Sequence, residues 1–229
     1  MRVNGKKNVA ARLARIGTGA VSDALGKTGA MDHEIRPRSD NSTMAGPAFT
    51  VRVHTADLLM VAKALSACPK EGVLVIDGHG EPNTALWGGL TTQAALKKGL
   101  AGVVVDGAIR DLADIRRSQL PVFARAVVPS AGGAEYVGEI QTTVQCGGAV
   151  VNPGDWLVGD EDGVVVVPAA RIEETLQMAE RIITAERKIE RAIRAGRDFG
   201  EILNCDAVLE RKRSEVFLPQ LRAISGKRR

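Results

Sequence analysis

GGLTTQAALKKGLAGVVVDGAIRDLADI, residues 88–115, carries three elements and two corners in one run. A glycine pair opens a helical stretch, Val103-Val104-Val105 reads as a buried strand, and Asp106-Gly107-Ala108-Ile109 leads into Arg110-Asp111. Buried parallel strands read as continuous β-branched runs, and helices between them imply crossover connections. In open α/β sheets, ligands sit in the crevice at the carboxyl ends of the strands. Arg110-Asp111 falls at such an end. An arginine grips a carboxylate through two parallel hydrogen bonds, and an aspartate offers hard oxygens to magnesium or manganese. The same residues also suit a helix start: Asp111 as N-cap, Asp114 three residues on, both at the positive end of a helix dipole. Spacing alone favours the cap, with Arg110 as a surface ion-pair partner, and a cap at a strand–helix corner can still face a cleft.

The flanking sequence continues the alternation. Residues 8–26 read as two helical pieces, with Thr18 or Ser22 opening the second, and 43–53 as an irregular or edge strand through Gly46-Pro47. A helix over 56–67 precedes the strand 73–76, which ends at Asp77-Gly-His-Gly80. The pattern then predicts a helix over 84–98, the strand 103–105, a helix over 112–117 and a strand over 122–126. Val144, Cys146, Ala149 and Val151 alternate as parts of one sheet. Trp156–Val158 and Val164–Val167 flank the turn Gly159-Asp-Glu-Asp-Gly163 as a hairpin. After Pro168 an amphipathic helix carries Ile172, Leu176, Ala179, Ile183, Ile189 and Ile193 on one stripe and ends at Gly196. A charged tail follows, helical around 203–210. This divides the chain into an α/β domain over 1–168 and a C-terminal helical extension over 169–229.

Composition narrows the function classes. Aromatic residues make up 3% of the 229-residue chain, so the stacking platforms of single-strand nucleic-acid binders are missing. The formal charge of +4 lies wholly beyond residue 170 and ends in Gly226-Lys-Arg-Arg229. It reports a basic tail rather than a basic face, and nucleic acid is not an expected partner. Cys68, Cys146 and Cys205 form no close pair, which excludes a zinc motif and a disulfide framework. No apolar run is long enough to cross a membrane, and the expected location is the cytoplasm. His33, His54 and His79 have no metal-ligand spacing, although His79 lies near a strand end. Asp77, Asp106, Asp160 and Asp162 read as turn residues, and Ser22-Asp23 as a helix cap. The glycines of 72–80 lack the ending of a phosphate loop.

Several stretches together resemble the ribonuclease E activity regulator A (RraA)-like family, which includes metal-dependent 4-hydroxy-4-methyl-2-oxoglutarate aldolases. They are Ala20-Val-Ser-Asp-Ala-Leu25, Val75-Ile-Asp-Gly78, Leu86-Trp-Gly88, Gly102-Val-Val-Val-Asp-Gly-Ala-Ile-Arg-Asp111, and Asn152-Pro-Gly-Asp155 through Asp160-Glu-Asp-Gly163. They span roughly residues 15–170 in family order. The resemblance implies a layered α/β domain with a swivelling β/β/α core, assembled as a homotrimer or a dimer of trimers. It implies that Arg110 binds the carboxylate of a small 2-oxo acid. Asp111 then holds Mg2+ or Mn2+, Asp114 supports the metal through water, and the backbone of Gly88, Gly89, Leu90 and Thr91 receives the oxo-acid. That makes Arg110 and Asp111 the implied catalytic pair, and it tips the balance from cap to site. The implied activities are retro-aldol cleavage and oxaloacetate decarboxylation, which share an enolate. The other implied role is a non-catalytic, ribonuclease-binding regulator. Many aldolases of the family carry an acid where this chain has Gly89, which leaves the base unassigned. Asp198 and Glu201 in the extension are not assigned to the site.

Overall fold

The computed structural model describes residues 3–213; the basic terminus Gly226–Arg229 lies outside them. A large mixed sheet is built on four parallel strands, β2 (Met44–Arg52), β3 (Val73–Trp87), β4 (Gly102–Ile109) and β5 (Val122–Val127). They are joined by α3 (Leu59–Ala67), α4 (Gly89–Lys98) and α5 (Leu112–Arg117). The antiparallel strand β1 (Arg36–Pro37) borders β5. On the other side β2 meets β9 (Trp156–Asp160), which pairs with β10 (Gly163–Val167), while β6 (Glu139–Ile140) adds to the far end of β2. A separate hairpin, β7 (Val144–Cys146) with β8 (Ala149–Val151), lies outside this ladder.

Strand alternation sorts the apolar residues into layers. Val51, Leu74, Ile76, Val103, Val105 and Val122 face α3, α4 and α5. Their neighbours Ala48, Val73, Val75, Val104 and Phe123 face the opposite way, against β7, β8 and the inner side of β9 and β10. The outer side of that last pair, Trp156, Val158, Val165 and Val167, is covered by α1 (Val3–Ile16), α2 (Thr18–Ala24) and the start of α6 (Ile172–Arg194). Period-two burial on both faces is what a strand enclosed between two layers requires. The chain divides into a unit ending at Ile182 and a second beginning at Ile183. Ile172, Leu176 and Ala179 of the α6 stripe are buried in the first, whereas Ile193 is exposed. Asp198 caps α7 (Phe199–Ile202), its carboxylate accepting from Glu201 N at 3.0 Å.

Three local expectations need correction. The helix expected over 84–98 begins only at Gly89, because Ala85 and Trp87 rejoin the sheet opposite Ala108 and Ile109. The strand over 43–53 is interior rather than an edge. It pairs with β9 up to Pro47 and with β3 from Ala48, changing partner at the proline that lacks an N–H. Ser22 and Asp23 lie in the last turn of α2 and cap nothing; the helix instead starts at Thr18, whose N–H and hydroxyl both donate to Asp160 at 2.7 Å.

Asp77 and Asp106 do more than shape turns: both lie within strands, and Asp77 Oδ1 also accepts from His79 N at 3.2 Å, the local turn bond that its sequence suggests. Asp77 is in register with Arg52 on one side and Asp106 on the other, and Arg125 follows Ala124, the partner of Val105. The four side chains form a row of alternating sign at its ends, cation–acid–acid–cation, where the inward apolar face stops. Arg125 Nε donates to Asp106 at 2.8 Å and Arg52 Nε lies 3.7 Å from Asp77. Asp106 Oδ2 accepts from Gly147 N at 2.7 Å, and the Asp77 Oδ2 that faces Arg52 also accepts from Gln145 N at 3.4 Å, both amides of the β7–β8 hairpin. The row therefore pins the hairpin over the sheet. Loss of Asp106 leaves Arg125 its ion pairs with Asp32 and Glu34 but takes the acceptor from the Gly147 N–H, and a buried donor without a partner costs about 1–3 kcal/mol. Asp106→Ala is expected to lower the unfolding free energy measured in urea by about that amount, whereas an unchanged value would show that the hairpin is held by apolar packing alone.

Between these acids Cys146 is fully buried, and burial followed by the charges of Asp106 and Asp77 pushes its thiol well above the usual range. Burial likewise raises Cys68 to about 11. Cys205 is exposed. A thiol reagent at neutral pH is expected to label Cys205 at once and the other two only on unfolding; rapid labelling of more than one thiol in native protein would contradict this burial.

Candidate active site

β3 and β4 run past the apolar core and end together. Arg110 N donates to Trp87 O at 2.9 Å, so the corner leading into α4 and the corner leading into α5 lie side by side. Gly88, extended in backbone, is the N-cap of α4. Its amide donates to Thr91 Oγ1, while the hydroxyls of Thr91 and Thr92 both donate to Gly88 O, each at 2.9 Å. The buried Trp87 indole N–H donates to Thr92 Oγ1 at 2.8 Å. This chain of bonds fixes the turn. It leaves the N–H groups of Leu90 and Thr91, in the first turn of α4, without an intrahelical acceptor, and such N–H groups bind anions.

The opposite wall comes from the second corner. Asp111 adopts a left-handed backbone (φ 56°), which costs about 1–3 kcal/mol in a residue other than glycine. It occupies the N-cap position of α5 but makes no side-chain cap. Its Oδ2 accepts from Gly89 N at 2.9 Å instead, across to the other helix, and lies 3.7 Å from Arg110 Nε. A capping role for this carboxylate is therefore overturned by where it points. Asp114 Oδ1 accepts from Arg117 at 2.5 Å. Its other oxygen approaches Gly89 so closely that a Cβ there would lie 3.1 Å away; a Cβ on Gly88 would come within 2.7 Å of Asp111 Oδ2. The two glycines let both carboxylates close over the start of α4.

These corners border a cavity of about 240 Å3 lined by Gly88, Leu90, Thr91, Arg110 and Asp111. The rest of the lining is Leu58, Ala131 and the β3 residues Ala85, Leu86 and Trp87. Drug-sized sites occupy roughly 300–1,000 Å3, so this one suits a small molecule. Of the residues singled out from sequence, Gly89 contributes through its amide and Asp114 stands beside the cavity. His79 lies apart: its ring bonds Val53 O at 3.0 Å and faces Asp77. Leu58 and Ala131 were not foreseen, because each reaches the site from a loop distant in sequence.

Ala131 arrives by pairing with Ala85 of β3, and Leu58 beside a buried latch. Asp57, 2% exposed, accepts from Leu59 N, Glu135 N and Tyr136 N at 2.6–3.1 Å. Gly132 fits only because a Cβ would meet Ala56 O at 2.2 Å. Burial pushes the Asp57 carboxyl up, but the three N–H donations and His54 outweigh it and hold it below its ordinary value.

Among the known proteins that the chain resembles, the RraA-like family model, described as Aldolase/RraA, matches residues 18–166. The chain belongs to the RraA-like family. A putative 4-hydroxy-4-methyl-2-oxoglutarate aldolase of Halalkalibacterium halodurans is 38% identical over 178 residues, 78% of this chain and 85% of that protein. The crystal structure of an uncharacterized protein from Pseudomonas syringae pv. tomato superposes with a TM-score of 0.78 at 27% identity, covering 85% and 92% of the two chains. The RNA-processing inhibitor RraA from Thermus thermophilus gives a TM-score of 0.60 at 35% identity over 64% of this chain and 89% of its own. The mixed sheet and its helices are thus those of an RraA-like fold, with C-terminal helices in addition.

The Asp57 latch yields a test. A carboxylate with a depressed folded-state value stabilises the fold above its unfolded value, about 4, and that contribution disappears as pH falls through the folded value. Urea midpoints measured from about pH 6 down to about pH 3 are expected to fall less for Asp57→Asn than for wild type, from a lower start. Parallel curves would remove Asp57 from the acid response.

Proposed function

We propose that this RraA-like protein is a divalent-metal-dependent carbon–carbon lyase acting on a pyruvate-type 2-oxo acid. The proposed reactions are retro-aldol cleavage of substrates like 4-hydroxy-4-methyl-2-oxoglutarate, decarboxylation of oxaloacetate, or both. One observation carries the reading: Arg110, Asp111 and the open N–H groups at the start of α4 converge on one small cavity at the strand ends. The names of the aldolase relatives support it.

The donor set suits a hard cation. Asp111 Oδ1 accepts no hydrogen bond from the described residues, and Asp114 approaches the same space over Gly89. Magnesium commonly takes one or two carboxylates and keeps several waters. A magnesium or manganese ion held there supplies Lewis acidity toward a 2-oxo group. Arg110 clamps the substrate carboxylate through its guanidinium fork. The N–H groups of Leu90 and Thr91 face the oxygen that gains negative charge when the carbon–carbon bond breaks, and need no reorientation to do so. The Trp87–Thr92–Gly88 bonds hold those donors in place.

A second reading has its own support: the Thermus structure bears the name of an RNA-processing inhibitor, and Gly89 departs from the acid of many aldolases. That reading needs a binding surface and no turnover. Release of pyruvate from oxaloacetate and from 4-hydroxy-4-methyl-2-oxoglutarate separates the two. The expected result is turnover that EDTA abolishes, that Arg110→Ala lowers at least about a hundredfold through the lost charged contact, and that Asp111→Ala loses. Full metal-dependent turnover in Asp111→Ala would remove that residue from the role, and a wild type without turnover would favour the inhibitor reading.

A further inference from the structure

We infer that Arg36, Arg38 and Arg116 form a binding site for a small phosphate-bearing anion at the β1 edge of the sheet. None of the three lines the strand-end cavity, and the inference does not depend on the lyase reading. β1 runs antiparallel to β5 with Arg36 opposite Ala124, and Arg38 N donates to Val122 O at 2.7 Å, which carries the pairing on to Arg38. Directly opposed residues of a ladder share one face of the sheet. Val122 and Ala124 belong to the helix-side layer that also holds Ile115 of α5. Arg36 and Arg38 therefore stand on the side of the sheet where the last turn of α5 carries Arg116.

Two of the guanidiniums are already held in place. Arg38 Nε donates to Ala124 O at 2.9 Å and its Nη2 to Arg125 O at 2.6 Å, while Arg36 Nε donates to His33 O at 2.9 Å. These acceptors are neutral carbonyls, so the bonds fix position and leave the charge unbalanced. Arg38 Nη1 and both Nη groups of Arg36 donate to no described residue. The acids close by in sequence are committed elsewhere: Asp32 and Glu34 pair with Arg125, and Asp114 with Arg117. Among the described residues no ion pair reaches Arg36, Arg38 or Arg116. Arg38 is half-buried, and burial, followed by the like charges of Arg36 and Arg116, lowers its guanidinium from the ordinary value. A fixed, partly desolvated cation beside two like charges is unfavourable on its own, and a bound oxyanion offsets that cost. Phosphate suits the open edges, because guanidinium forks take its oxygens in pairs. The cluster contains no aromatic side chain, so it lacks the stacking surface of a single-strand nucleic-acid site.

Calorimetry of the full chain against inorganic phosphate and pyrophosphate tests the assignment. Chloride at about 0.15 M screens unspecific attraction, and EDTA prevents any metal from holding phosphate at Asp111. The expected result is saturable binding, tighter for pyrophosphate, that Arg110→Ala leaves unchanged. Arg36→Gln and Arg116→Gln, both at exposed positions, are each expected to weaken it at least about tenfold. Arg38→Lys keeps the charge but loses the fork, and is expected to weaken binding as well; an unchanged thermal unfolding curve separates that loss from misfolding. Absence of saturable binding by wild type would overturn the inference, as would binding that survives Arg36→Gln and Arg116→Gln undiminished. Binding lost in Arg110→Ala would put the anion in the strand-end cavity and overturn it too. A short RNA held more tightly than pyrophosphate through the same three arginines would replace the small anion by nucleic acid.

Discussion

The pairing of β3 with β4 does not stop where their apolar runs stop, and much of the molecule's chemistry follows from that. Five consecutive registers from Val73 to Asp77 are ordinary parallel ladder. The chain of β3 then bulges away and returns to pair Ala85 with Ala108 and Trp87 with Ile109. Bulges recur next to active sites because they re-aim side chains without ending the sheet. Here the return brings the corner after Trp87 and the corner after Ile109 to the same height. An amide of one helix start and a carboxylate of the other can then bond directly. Had β3 ended at Asp77, Gly89 and Asp111 would have no reason to meet.

Two pairs of acids with opposite uses illustrate how placement decides chemistry. Asp77 and Asp106 sit in mid-strand at 5% and 6% exposure, flanked by Arg52 and Arg125 and covered by hairpin amides. Both oxygens of Asp106 and Oδ2 of Asp77 hold the sheet and hairpin together, while Asp77 Oδ1 bonds the turn at His79. Asp111 and Asp114 lie a few residues further along the same strand path, at a corner open to solvent, with one Asp111 oxygen uncommitted. The left-handed backbone at Asp111 is consistent with a side chain held away from its relaxed cap position. Strain of this kind is retained where the surrounding structure fixes it, and here the Gly89 amide and the β4 ladder do so.

Most of the element pattern was legible in the residues themselves. Val103–Val105 declared a buried strand, 112–117 a short helix, and the alternation of Val144, Cys146, Ala149 and Val151 parts of one sheet, because periodicity reports burial directly. The stretch 84–87 misled, since Thr-Ala-Leu-Trp has no strict period and precedes a true helix. Asp77 does make its local turn bond to His79 N, but local chemistry cannot reveal that an arginine waits beside each of Asp77 and Asp106 on the neighbouring strand. Within the site, Arg110, Asp111 and the Gly88–Thr91 segment are close in sequence and could be grouped from it. Leu58 and Ala131 could not, since Ala131 comes in by pairing with Ala85 and the loop of Leu58 is tied by Asp57 to residues 135 and 136.

The order of helices and strands, their layering by apolar periodicity, and the placing of Arg110-Asp111 at a strand end were therefore properties of the chain read by itself, because each depends on neighbours within a few residues. Whether Asp111 caps its own helix or faces across to another was not. Both are satisfied by the same local sequence, and they differ only in the position of an amide 22 residues away. The tertiary structure decided it by bringing β3 back into the sheet. A hydrogen bond selects between conformations of similar local energy, and only folding sets which donor is within reach.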